Sequence, residues 1–139
     1  MKAKVQWVNG MQFVGVSSSG HSVTMDTSQK NGGNDTAPTP MEMILLGVGG
    51  CSSVDVIAIL KKARQDVLDC YVELSAERAE AAPAVFTRIH LHFVVSGRDL
   101  KEAHVRRAVE MSAEKYCSAS IMMAKAGVEI THSFETVAL

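Results

Sequence analysis

The chain has no CxxC pair, no block of like charges and few aromatic residues. Without CxxC, a thioredoxin-type redox loop and a four-cysteine zinc cluster are both excluded. Without a charge block, and with a net charge of −1, neither nucleic acid nor an anionic membrane surface is an expected partner. Aromatics make up 5% of 139 residues while 47% are hydrophobic. Val, Ile, Leu, Met and Ala must therefore fill the core. Long apolar runs are also missing. The longest, Met43 to Val54, is bounded by Glu42 and Asp55 and is too short to span a bilayer, so it reads as a buried core helix. The N-terminus has no apolar leader region, so a cytoplasmic protein is expected. Three cysteines in a reducing compartment do not make a disulfide scaffold.

What is present reads as one α+β domain over residues 1–139. Val5 and Trp7 lie in a first strand, and Asn9-Gly10 is the strongest short hairpin signal. A second strand over 11–17 and a third over 21–26 complete an antiparallel meander. A polar loop, 27–39, leads to Thr39-Pro40-Met41-Glu42. Those residues combine an N-cap Thr, Pro at the first helical position and a reciprocal Glu. The helix should run to about Arg64. A strand within 66–80 places Cys70, Val72, Leu74 and Ala76 on one face. The next, 85–96, alternates Ile89, Leu91, Phe93 and Val95 against Phe86, Arg88, His90 and His92. Asp99 with Glu102 predicts a helix start. Val105, Ala108, Val109, Ser112 and Tyr116 predict that helix's inner face, with a break near Cys117. Gly127 should stop the last helix before a final strand, 128–137. The order is βββ-α-ββ-αα-β.

Cys51 and Cys117 are the residues with chemistry to offer. Cys51 lies three turns into the long helix, too deep for the helix N-terminus to stabilise its thiolate. Gly47, Gly50, Cys51 and Val54 share one face, so close packing of a second helix competes with reactivity as the reason for a small residue there. Cys117 is better placed. A short helix starting at Ser118 or Ala119 would set its thiol beside free backbone N–H groups, with Lys115 nearby. Its competing reading is a cysteine at a helix kink. Cys70 reads as core. His90 and His92 share a strand face, but no third ligand is apparent, so no metal is expected. Gly47-x-Gly49-Gly50 follows no strand and is not a dinucleotide fingerprint, so no cofactor is expected.

Pro40-Met41-Glu42-Met43 leading into Gly49-Gly50-Cys51-Ser52, then Cys117 66 residues later, then the element order itself, resemble the OsmC/Ohr family of osmotically inducible and organic hydroperoxide resistance proteins. Gly97-Arg98-Asp99-Leu100 and Ser112 to Cys117 resemble its OsmC-like branch in enteric bacteria. The resemblance implies antiparallel sheets wrapped around central helices in an intertwined homodimer. It implies an organic hydroperoxide reductase in which Cys51 attacks the peroxide, Cys117 resolves the sulfenic acid as a disulfide, and an external dithiol restores both.

The chain departs from that pattern at three positions. Active members carry an arginine near the N-terminus, whereas the first here is Arg64. They carry a glutamate ten residues before the first cysteine, where this chain has Met41. Ser118 replaces the proline usual after the second cysteine. Arg64, Arg78, Arg88 and Lys115 are candidate substitutes for the missing cation. The alternative implied is a non-catalytic paralogue that senses redox state or binds a small apolar ligand near Met41, Ile44, Val48, Met122 and Met123.

Overall fold

Residues 1–139 are described by a computed structural model with two three-stranded sheets and three helices, an α+β fold. It divides into two compact units, Met1–Leu46 and Gly47–Leu139.

The first unit is the meander: β1 (Ala3–Asn9), β2 (Gln12–Ser17) and β3 (Ser22–Met25), paired antiparallel in that order. Gly10 takes a φ of +52° in the first turn, which is why Asn-Gly serves there. The following loop is organised by Asp26, whose side chain is 1% exposed. It accepts from the Thr27 N–H at 2.7 Å, the Thr36 N–H at 3.2 Å and the Thr36 hydroxyl at 2.6 Å. The Asn34 N–H lies 3.4 Å from both carboxylate oxygens.

The long helix α1 (Pro40–Lys62) begins in this unit and continues into the second. Its start is the reciprocal cap read from the sequence. The Thr39 N–H donates to Glu42 at 3.0 Å, and the Glu42 N–H donates to the Thr39 hydroxyl at 3.2 Å. Glu42 is thereby occupied in capping. Thr39→Ala should cost about 1 kcal/mol of stability, measured by denaturant unfolding, because the Glu42 N–H then loses its hydroxyl partner.

In the second unit, β4 (Asp66–Arg78), β5 (Phe86–Arg98) and β6 (Glu129–Ala138) form one sheet. β4 pairs antiparallel with β5, but β6 joins β5 in parallel. The expectation of wholly antiparallel sheets is corrected here. A parallel neighbour needs a long crossover, and the helical segment Glu102–Lys125 supplies it. The inner face of β5, Ile89, Leu91, Phe93 and Val95, is buried as the alternation predicts. Phe86 is also buried, since a register shift opposite Glu77 and Arg78 turns the strand end. On the other face His90 and His92 join a hydrogen-bonded ladder. His90 contacts Thr131 and Ser133 at 2.6 and 2.9 Å, and His92 contacts Ser133 and Glu135 at 2.6 and 3.0 Å.

α1 buries only Val48, Gly49, Ser52, Val56 and Leu60. A Cβ on Gly49 would stand 2.7 Å from the Leu74 Cδ1, so glycine here admits β4 to the helix. The expected buried core helix is thus buried along one stripe. Gly47 and Gly50 face open space and Val54 is 70% exposed. An 18-residue window of α1 has mean hydropathy 2.1 with 28% of it buried. By length and composition α1 would suit a bilayer, which corrects the expectation from its shorter uncharged stretch, but core helices of soluble proteins share both properties.

The second helix, α2 (Glu102–Met111), has Lys101 at its N-cap position, without a side-chain capping bond, while the expected cap Asp99 takes a left-handed φ of +52° just after β5. Val105, Ala108, Val109 and Ser112 are buried as read. Tyr116 is half exposed instead. Between them the chain forms a π-helical turn, Ser112–Tyr116, whose wider winding rotates later residues off the inner face. The break then falls at Cys117, and α3 (Ser118–Lys125) follows. Gly127, at φ +98°, ends the helical run.

Candidate functional site

Three elements of the second unit meet at the two cysteines. Cys51 and Asp55 sit one turn apart on α1, so helical geometry aligns them on one face. Cys117 leaves the π-helical turn in an extended conformation, φ −72° and ψ +102°, and becomes the N-cap of α3. The Cys51 Sγ, the Cys117 Sγ and an Asp55 carboxylate oxygen all lie within 4.8 Å of one another. Residues 66 apart in sequence are therefore neighbours. Cys70 is a free, half-buried thiol on β4 that burial and Asp69 hold above its ordinary pKa.

Cys117 is fully buried, at 0% exposure. Its sulfur lies 3.1 Å from the Ser52 hydroxyl and accepts the Ser120 N–H at 3.4 Å. Ser52 and Ser120 hydroxyls are 3.2 Å apart, closing a small polar network inside the core. Burial is the largest single influence on Cys117 and opposes ionisation. The Ser120 and Ser52 hydroxyls, the Ser120 N–H and the Cys51 thiol favour the thiolate and together prevail, so this thiol lies below its ordinary pKa.

Cys51 is half-buried and goes the other way. The Ala119 backbone N–H is its largest single influence and favours the thiolate. Burial, the adjacent Cys117 and the Asp55 carboxylate outweigh it, leaving the Cys51 thiol above its ordinary pKa. The two shifts run in opposite directions, so Cys117, beside the first turn of α3, is the easier of the pair to ionise. The helix start at Ser118 is one of the two starts expected from the sequence.

No cation contributes to either thiol. Arg88 instead stands 3.9 Å from Glu129, Arg78 donates to the Ala84 carbonyl, and Lys115 lies over the Tyr116 ring. Arg64, in the turn just past the end of α1, takes a left-handed φ of +56°. The basic residues beside the site are others. Lys62 and Arg107 line a cavity of 320 Å³ together with Asp55, Ala58, Ile59, Met111 and Tyr116. Asp55 thus borders both the dithiol and the cavity. Its four-residue spacing from Cys51 was a readable signal, as was the seven-residue spacing from Asp55 to Lys62. Ser52 and Ser120 had no comparable signal, because small hydroxyl residues on buried faces resemble ordinary core.

Comparison with known proteins accords with this architecture. Residues 32–133 match the OsmC-like protein family. Protein YhfA of Escherichia coli K12 is 57% identical over 138 residues, covering 99% of each chain. A hypothetical protein of Aquifex aeolicus VF5 is 30% identical, with a TM-score of 0.85 over 99% of this chain and 96% of its own. The organic hydroperoxide resistance protein OsmC of Legionella pneumophila, at 16% identity and a TM-score of 0.72, shares the fold over 96% of this chain and 95% of its own. The chain belongs to the OsmC-like family.

Proposed function

We propose that residues 1–139 act as one domain of a cytoplasmic homodimer, a thiol-dependent peroxidase that reduces organic hydroperoxides through Cys51 and Cys117. The observation that carries this reading is the meeting of the two sulfurs within 4.8 Å, one of them set at a helix N-terminus.

The division of labour follows from exposure and charge. Cys51 is the reachable thiol and Cys117 the buried one, which is the easier to ionise. As the Cys51 sulfur attacks the outer peroxide oxygen, its proton passes to the Cys117 thiolate. An S–O bond forms, the O–O bond breaks, and the alkoxide takes a proton from solvent. The Cys117 sulfur then attacks the Cys51 sulfenic acid. An S–S bond forms, the S–O bond breaks, and hydroxide leaves with the Cys117 proton as water. Two electrons have moved from the thiols to the peroxide. An external dithiol returns them by exchange.

The homodimer is supported by the apolar surface each single chain leaves uncovered. Val54, Leu46 and Ile44 on α1 and Val5, Trp7 and Val8 on β1 are exposed. A second reading, a non-catalytic relative that binds a small apolar ligand or senses redox state, is favoured by Cys51 itself. Asp55 beside it and the missing cation both disfavour a nucleophilic thiolate.

Stopped-flow oxidation of the reduced protein by an aromatic or fatty-acid hydroperoxide separates the two. Fast, saturable loss of Cys51 and Cys117 into one bond, with one alcohol released per chain, is expected. Oxidation no faster than that of a free thiol would leave sensing or ligand binding as the function. A thiolate absorbance titration adds an independent check. The lower transition should survive Cys51→Ser and vanish in Cys117→Ser.

A further inference from the structure

Asp55 is the one member of the cysteine cluster that the peroxidase reading leaves without a role. It forms no ion pair anywhere in the chain. A carboxylate facing two thiols with no cation between them opposes ionisation of both sulfurs. Two thiolates and a carboxylate are, however, a donor set that a soft or borderline divalent cation takes up.

We propose that Cys51, Asp55 and Cys117 form a three-ligand site for a divalent cation of the zinc class. Their donor atoms lie within 4.8 Å of one another. Tetrahedral zinc holds such donors roughly 3.5–3.8 Å apart, so movements of about 1 Å in side chains close the site. Three protein ligands leave a fourth position for water. The outer contacts needed to aim the ligands are already present. The Ser112 hydroxyl sits 3.5 Å from the Asp55 Oδ2 and 3.1 Å from the Ser52 carbonyl. The Ser52 hydroxyl and the Ser120 N–H fix the Cys117 sulfur. All three ligands come from rigid elements, two from α1 and one from the cap of α3.

The site and the disulfide exclude one another, because each sulfur is either a metal ligand or part of the S–S bond. A hydroperoxide that takes two electrons from the two thiolates, with two protons from solvent, yields one disulfide, one alcohol, one water and the free cation. Bound metal would therefore shield the thiols, and oxidation would eject it.

The test uses the reduced, full-length protein titrated with Co2+ as a spectroscopic stand-in, followed by Zn2+ competition against a chromophoric chelator. One Co2+ per chain with thiolate-to-metal charge-transfer absorption is expected. Asp55→Asn, which keeps both thiols, should weaken binding at least tenfold, and Cys51→Ser or Cys117→Ser should remove most of the charge transfer. Cys70→Ser should change neither. Half a metal per chain, no charge transfer, or affinity indifferent to Asp55→Asn would each overturn the proposal. Hydroperoxide turnover is assayed separately with chelator present, so failure of the metal site does not bear on the peroxidase reading, nor the reverse.

Discussion

Cys51→Ser is expected to reduce hydroperoxide turnover to that of buffer without protein, and Cys117→Ser is expected to trap a sulfenic acid on Cys51. The two outcomes differ because the thiols do different things. Cys51 is the half-buried thiol that peroxide can reach, and serine in its place is too weak a nucleophile without a strong base beside it. Cys117 is fully buried, so it reacts with the oxidised Cys51 sulfur and not with peroxide itself. Loss of Cys117 removes both the base that accepts the Cys51 proton and the sulfur that closes the disulfide. The first turnover should slow, and no second should follow. Mass spectrometry after dimedone treatment reads the distinction, with label on Cys51 in Cys117→Ser and none in the wild type. Label on Cys117 in Cys51→Ser at a comparable rate would reverse the assignment. Ser52→Ala offers a graded version. Removing one hydroxyl 3.1 Å from the buried sulfur should slow the first oxidation roughly tenfold, the worth of a hydrogen bond to a charged group.

Local signals in the sequence were sufficient wherever local chemistry decides the structure. Asn9-Gly10 placed the first hairpin, Thr39 to Glu42 placed the start of α1, and Gly127 placed the end of α3, because each encodes a particular backbone geometry. The expected break at Cys117 also held. The misreadings arose where tertiary structure overrides pattern. A parallel β6 has the same alternation as an antiparallel one, so pairing direction was invisible. A π-helical turn has no composition signature, and it moved Tyr116 from the inner face to the surface. Asp99 looked like a cap, yet a left-handed residue there suited the exit from β5 better. At the site, both cysteines were legible and their meeting was implied by the family resemblance. Their electrostatics were not legible, because these depend on two serines and an aspartate drawn from two helices far apart in sequence.

Asp26→Asn should be the most damaging single polar change in the first unit, lowering the midpoint of thermal unfolding by roughly 5 °C or more. The carboxylate gathers three backbone N–H groups and a hydroxyl from the loop that follows β3. An amide can accept through only one oxygen, and its NH2 would face donors. Gly33 confirms how tightly the loop closes, since a Cβ there would run into the Thr27 carbonyl and stand 2.7 Å from the Asp26 Oδ1. The same contacts set a pH dependence. The Thr36 hydroxyl is the largest influence on Asp26, followed by the Thr27 N–H, and together with the other donors they hold its pKa below the ordinary carboxylate value despite burial. A depressed folded-state pKa stabilises the fold fully above the unfolded-state value. That contribution is lost as pH falls from there through the folded-state pKa. Wild-type stability should therefore decline below about pH 4, the unfolded carboxylate range, with a steeper acid limb than Asp26→Asn shows. Thr36→Val should behave in between, since it removes the strongest single donor and leaves the carboxylate in place. Parallel acid limbs in wild type and Asp26→Asn would mean that Asp26 ionises no more easily in the folded chain than in the unfolded one.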